Sequence, residues 1–350
     1  EFRAMRLTYP ADYGANKEAE ARALLGAAVP TPVRVENGKQ IYAITVPFAG
    51  TTSNVAYAAA PATFALSEAN SGPESGPNDV YWDDQFESNT SAVHATVRDA
   101  AGNLYVGGMF TVAGDASANY IAKWDGTSWS ALGSGMNALV RVLALDSSGN
   151  VYAGGDFTTA GGVAANRVAK WDGTAWSALG SGMDNLVSAL ALDGAGNLYA
   201  GGNFTTAGGV AASYVAKWDG TTWSALGTGM NDTVSSLAFD SAGNLYAGGR
   251  FTTAGGVTVN RVAKWDGTAW SALGTGIAGS VSDLAFDGSG NLYAGGNFAT
   301  AGGVTANCVA KWDGTAWSAL GTGMSSTVYA LAFDGSGNLY AGGYFTTAGG

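Results

Sequence analysis

From Val93 onward the chain alternates short apolar stretches with clusters of Gly, Asp, Asn, Ser and Thr. Residues 187–193 read as a strand, and Gly194-Ala195-Gly196-Asn197 turns the chain into a second strand at 198–204. A looser Thr-Thr-Ala-Gly-Gly loop leads to a third strand at 215–218. Asp219-Gly220 turns this into a fourth at 223–226. Gly-Asn and Asp-Gly between apolar runs mark hairpins, because these residues tolerate positive φ. No proline follows Pro77, so no strand is interrupted by a residue lacking an N–H.

The pattern repeats every 47 residues. Lys-Trp-Asp-Gly begins at Lys123, Lys170, Lys217, Lys264 and Lys311, and a second tryptophan follows at Trp129, Trp176, Trp223, Trp270 and Trp317. Gly-Asn-(Leu/Val)-Tyr-(Ala/Val)-Gly-Gly recurs six times, first at Gly102 and last at Gly337. Five full units and the first half of a sixth therefore fill residues 93–350. Four short strands in about 45 residues describe one blade of a β-propeller. The glycine pairs at Gly201-Gly202 and its equivalents suit close approach of neighbouring backbones.

A ring of blades must join its ends or leave open strand edges. The sixth unit stops after two strands, while Asn78-Asp79-Val80-Tyr81-Trp82-Asp83 resembles Asn166 to Asp172 with one residue deleted, and Phe86 stands where the second tryptophan would be. The expected fold is all-β: a six-bladed β-propeller over residues 76–350, its ring closed by strands at about 78–90 pairing with the C-terminal half blade. Residues 1–75 lie outside the repeat and form a small extension. In it, residues 15–27 have the Ala, Glu, Lys and Leu content of a short helix. A hairpin turned at Asn37-Gly38 follows.

Tyr199-Ala-Gly-Gly, then Val215-Ala-Lys-Trp, then Trp223 and Met230 resembles a kelch repeat, with Trp218 where that family has tyrosine. The resemblance spans residues 80–350 and extends to bacterial-type extracellular propellers built on a Trp-Asp-Gly repeat. It implies a propeller of a kind that binds proteins, binds sugars or carries an enzyme.

Composition narrows the function. With 16 basic and 27 acidic residues the net charge is −11, against nucleic-acid binding, which needs clustered Lys and Arg. No apolar run reaches the ~20 residues of a membrane span. Cys308 is the single cysteine, which leaves no internal disulfide or cysteine-rich zinc site. His94 is the single histidine, so a copper oxidase of the galactose oxidase kind, with two histidine ligands, does not fit. The chain begins at Glu1 rather than Met, as it would after removal of an upstream segment.

Comparison of the units separates two faces. The turns Asp-Gly-Ser-Gly-Asn and Trp-Asp-Gly-Thr-Ala-Trp hardly vary and share one face, since alternate turns of a meander lie on one side. Three columns vary, and all border the opposite face. The residue after the first-strand valine is His94, Arg141, Ser188, Ser235, Ser282 or Tyr329. The residue after the glycine pair is Met109, Asp156, Asn203, Arg250, Asn297 or Tyr344. The residue leading into the third strand is Tyr120, Arg167, Tyr214, Arg261 or Cys308. Loops on a rigid scaffold carry function, and Tyr and Arg are favoured at binding hot spots. Drift at tolerant exposed sites is the competing explanation.

Other motifs have plainer accounts. Asp-Gly-Ser-Gly-Asn lacks the alternating carboxylates and distal Glu of a calcium loop and reads as a hairpin turn. Gly274-Thr-Gly-Ile-Ala-Gly279 spells a dinucleotide fingerprint but opens no helix. Fucose-binding lectins with a similar Trp-Asp-Gly hairpin carry Glu and Arg where this chain has Ala169-Lys170. The hairpin is also one residue shorter than a sialidase aspartate box. One histidine and scattered carboxylates supply general acid–base chemistry poorly. No catalytic residue, metal or cofactor is therefore expected.

The sequence points to a secreted or surface-displayed adhesion or recognition module for a protein or glycan. The second reading is a structural subunit of a surface filament or particle, self-assembled through residues 1–75. An enzyme is the third.

Overall fold

A computed structural model describes residues 92–349, together with the strands Phe2–Tyr9, Thr31–Glu36 and Lys39–Pro47. The chain divides into two compact units. The described part of the first is an antiparallel sheet with Lys39–Pro47 at its centre, paired with Phe2–Tyr9 on one side and Thr31–Glu36 on the other. The hairpin expected around Asn37-Gly38 is present, with Glu36 opposite Lys39. The helix expected at 15–27 and the closing strands expected at 78–90 lie outside the described residues.

The described part of the second unit is a multi-bladed β-propeller. In the third repeat Val187–Leu192 pairs with Leu198–Gly202, which pairs with Val215–Trp218, which pairs with Trp223–Ala225, all antiparallel. Five such four-stranded meanders run from Ala92 to Ala319, and Val328–Phe333 pairs with Leu339–Gly343 to begin a sixth. First strands of successive repeats lie side by side, from Ala92–Arg98 round to Val328–Phe333, so they are innermost and the tryptophan strands outermost. The Thr-Thr-Ala-Gly-Gly loop is more ordered than its sequence implies. Thr206–Ala207 and Val210–Ala211 pair as a miniature hairpin, with Gly208 and Gly209 at φ of 60° and 83° in its turn.

The core sits between repeats. Val142, Tyr152 and Val168 of the second repeat pack with Val187, Leu190, Leu198, Phe204 and Trp223 of the third, and the same cluster recurs one repeat on. Trp176, Trp223, Trp270 and Trp317 are 4–5% exposed. Each indole Nε1–H donates to a leucine carbonyl of the preceding repeat: to Leu132, Leu179, Leu226 and Leu273, at 2.8–3.0 Å. A buried indole thus adds a directional bond to its large apolar contact. The first tryptophan of each motif is half-buried and tilts against the second, as Trp218 does on Trp223 at 5.4 Å.

The two glycines of each pair do different jobs. A Cβ on Gly201 would fall 2.5 Å from Cγ1 of Val234 in the next repeat, so this glycine admits the neighbour's side chain. A Cβ on Gly202 would collide with the backbone carbonyl of Leu186 in its own repeat. Gly194, in the first turn, faces open space at ordinary φ. Gly202→Ala is therefore expected to cost about 3 kcal/mol, at the upper end of overpacking penalties, because a backbone carbonyl cannot rotate away. Gly194→Ala is expected to be neutral or slightly stabilising. Thermal denaturation of the two variants checks this, and equal midpoints would contradict it.

Candidate recognition face

The invariant turns are closed by their own hydrogen bonds. In the Trp-Asp-Gly turns, Oδ1 of Asp219 accepts from the Thr221 and Thr222 N–H groups at 2.8 Å and from the Thr221 hydroxyl at 2.7 Å. Such bonds favour the charged carboxylate and hold Asp125, Asp172, Asp266 and Asp313 down to about 2, and Asp219 lower still. In the other turn Asp193 accepts from Ala195 N, Asn197 N, Asn197 Nδ2 and the Tyr199 hydroxyl. Lys217 lies over the Tyr199 ring at 5.5 Å. This aspartate is occupied by its own hairpin, as the turn reading of the motif requires.

The opposite face is built differently. Each inner strand slips register by one residue just after its first valine, between Val140 and Val142 or between Val187 and Ala189. The bulged residue is the first variable column, and a β-bulge re-aims the side chain it carries. The strand partner of the preceding valine is the second glycine of the pair, which places the second column beside the first. In the second repeat Arg141 grips Asp156 through two bonds, Nε to Oδ1 at 3.0 Å and Nη2 to Oδ2 at 2.8 Å. In the sixth repeat the Tyr329 and Tyr344 rings meet edge-on at 5.3 Å.

The third column has a backbone signature that its sequence hides. Tyr120, Arg167, Tyr214, Arg261 and Cys308 all have φ between 63° and 72°. Non-glycine residues adopt this left-handed region at a cost of roughly 1–2 kcal/mol. The conformation lets each residue bond back across its repeat: Tyr214 N–H donates to Phe204 O, and Tyr214 O accepts from Gly202 N–H. The Arg167 guanidinium donates to the Asp156 carbonyl, and that of Arg261 to the Arg250 carbonyl.

The candidate residues therefore gather blade by blade rather than in one pocket. Arg141, Asp156 and Arg167 form one cluster, with His94 close enough to feel the first two charges. Arg250 and Arg261 form another, and Tyr329 with Tyr344 a third. Asn203 accepts a bond from Thr233 of the next connection. Met109 and Tyr344 are exposed, at 42% and 66%. His94 is buried, its Nδ1 without a hydrogen-bond partner, and burial followed by the Arg141 charge lowers its pKa against the pull of Asp156. Ser188 is also buried and donates to Val234 O of the next repeat, and Cys308 is buried. Among the described residues no three His, Cys, Asp or Glu side chains gather as metal ligands would, and no helix is long and apolar enough to cross a membrane.

Sequence reasoning did not single out Asp283, which lies one position beyond the bulge where other repeats have Ala95, Ala189 or Ser236. It is 1% exposed and accepts from the Ser236 hydroxyl, Leu284 N–H and, at 2.8 Å, Leu331 N–H of the sixth repeat. One carboxyl thus links three successive inner strands. Burial pushes its pKa up to about 7, against the opposite effect of these three bonds.

No family model and no curated protein matches the chain. Among solved structures it is similar to the WD40 β-propeller domain of Doa1, at 13% identity and a TM-score of 0.50, covering 71% of this chain and 75% of that one. It is also similar to the extracellular domain of a one-component system from B. thetaiotaomicron (14% identity, TM-score 0.35), covering 71% of this chain but only 32% of that one. A gluconolactonase from Xanthomonas campestris matches at 15% identity and a TM-score of 0.38, over 59% of this chain and 69% of that one. The likeness to the Doa1 domain shows the fold alone.

The Asp283 carboxyl generates a pH dependence with a definite sign. In the unfolded chain it loses its proton near pH 4, and in the folded chain near pH 7. The stability it contributes is complete below the lower value and is lost as pH rises through the upper one, by up to about 4 kcal/mol. Asp283→Asn is expected to remove that part of the slope. Denaturation curves of both proteins across this range test it, and parallel pH profiles would contradict it.

Proposed function

We propose that this chain is a non-enzymatic recognition module, working outside the cell or on its surface, that holds a protein or glycan on the face carrying the three variable columns. One observation carries the reading. At the same two backbone positions, side by side in every repeat, the chain places an Arg–Asp pair, a Ser–Asn pair, a Ser–Arg pair and a Tyr–Tyr pair. The opposite face keeps its polar side chains engaged in identical turns. A rigid scaffold with one constant and one chemically varied face is the arrangement expected of a binding surface. Exposed Tyr and Arg are the side chains that most often dominate such surfaces.

The kelch-like pattern supports the same reading, since propellers of that kind bind proteins or sugars. Low charge with abundant Gly, Ser, Thr and Asn fits an extracellular setting. Acid–base catalysis finds little support on this face, where the one imidazole is buried and Asp156 is held by Arg141.

The test uses a glycan array and a displayed peptide library as probes. Ligands selected by the native protein should lose at least about tenfold in affinity, or 1.4 kcal/mol, to a triple Arg141→Ala, Arg250→Ala, Tyr329→Ala variant. They should bind normally to a Ser148→Ala, Ser289→Ala, Ser336→Ala variant of the constant face. Ligands indifferent to the first variant, or lost with the second, would overturn the assignment, as would the absence of any selected ligand.

A further inference from the structure

The fifth repeat breaks a rule that the second, third, fourth and sixth keep. In the connection to each of their inner strands, one polar side chain caps the miniature hairpin of the repeat that follows. Asn137 Oδ1 accepts from Thr158 and Thr159 N–H, Asp184 from Thr205 and Thr206, Asn231 from Thr252 and Thr253, and Ser325 Oγ from Thr346 and Thr347. The same side chain bonds the first threonine's hydroxyl, as Asn231 does with Thr252 at 2.8 Å. In the fifth repeat both partners are alanine, Ala278 and Ala299. Losing the two together leaves no orphaned side-chain group behind.

The backbone responds. Ala278 and Gly279 join the ladder opposite Thr300 and Phe298, so the inner strand lengthens to Ile277–Phe286 and its partner to Leu292–Ala301. Gly279 takes φ of 139°, and a Cβ there would collide with the Asn297 carbonyl, so this zipped connection needs glycine. Where the other repeats place a capping side chain, a concavity of about 400 Å³ opens between the fourth and fifth repeats. Its walls include Asn260, Arg261, Thr275, Gly279 and Thr300.

One cationic side chain, Arg261, lines it. Arg141 has Asp156 as its partner, and Lys264 has Asp240. Among the described residues Arg250 and Arg261 form no ion pair, although the Arg261 guanidinium sits against the Arg250 carbonyl. Arg261 at the wall, with Arg250 in the same blade, makes a local anion-attracting point. Apart from Ile277 and Ala278, the rest of the wall offers amide and hydroxyl groups and glycine backbone, which suits a polyhydroxylated ring better than an apolar side chain.

We infer that the hollow between the fourth and fifth repeats is a subsite for an acidic sugar, its carboxylate received by Arg261 and its ring hydroxyls by Asn260, Thr275 and Thr300. The inference deepens the recognition reading by assigning one ligand class to one part of the variable face.

The test is a titration of the full chain with glucuronate, glucose and acetate, followed by calorimetry and by ligand-observed NMR. Glucuronate should bind saturably at about millimolar strength, as expected of a single small ring, and neither glucose nor acetate should match it. Arg261→Gln should weaken glucuronate at least about tenfold. So should Ala278→Asn combined with Ala299→Thr, which rebuilds the cap of the fourth repeat, while Ser148→Ala on the constant face should leave binding unchanged. Folding of each variant is checked by its thermal midpoint, and the two unlike routes to loss guard against a variant that fails to fold. Equal binding of glucose or acetate, indifference to both variants, or no saturable glucuronate signal would each overturn the subsite. Those results would leave selection by Arg141 and Tyr329 in the array experiment intact, so the two readings fail separately.

Discussion

Each repeat holds its neighbour through one rigid joint. The buried indole of one blade donates to a leucine carbonyl of the blade before it, and a valine of one blade enters the space left by a glycine of the last. A single four-stranded meander has two apolar faces and cannot cover either by itself. The joint covers both and fixes the angle between blades by a hydrogen bond and a side-chain fit. Everything that varies on the molecule varies within that frame. The inner strands carry bulged residues to one rim because the joint keeps their first valines in register.

That frame explains the asymmetry between faces. Turns on the constant side are short and internally saturated, each aspartate spending its acceptor capacity on the next few N–H groups. Such a turn tolerates little change, because losing the aspartate orphans several donors at once. Connections on the other side are longer, and their order comes from bonds between segments about 21 residues apart. The fifth repeat shows what this permits, replacing a side-chain cap by backbone pairing without disturbing the sheet beneath.

Much of this was legible in the sequence, for identifiable reasons. The 47-residue period, the four strands and the hairpin at Asn37-Gly38 follow from apolar runs and turn residues, which act locally. The three variable columns were also visible, because near-identical repeats serve as their own alignment. The left-handed backbone of the third column was not. Tyr, Arg and Cys there give no hint of positive φ, which is imposed by bonds reaching back over the miniature hairpin. Neither was the role of Asp283, since nothing local reveals that it lies between three inner strands. Ala278 and Ala299 stand 21 residues apart, and their joint loss of polarity has meaning only once the bond they replace is known. The strand Phe2–Tyr9 was equally hidden, since its partner Lys39–Pro47 lies far along the chain.

The left-handed third column has a bearing on how such a surface diversifies. The backbone penalty at Tyr120, Arg167, Tyr214, Arg261 and Cys308 is already present in each of the first five repeats and is nearly the same for any unbranched side chain. Exchanging one for another therefore leaves the folding energy almost level while exchanging ring, cation and thiol. Selection at these sites acts on what the side chain meets and hardly at all on how the chain folds. The strain thereby makes the position an interchangeable socket, closed chiefly to β-branched residues, and new chemistry can be tried there without re-equilibrating the scaffold.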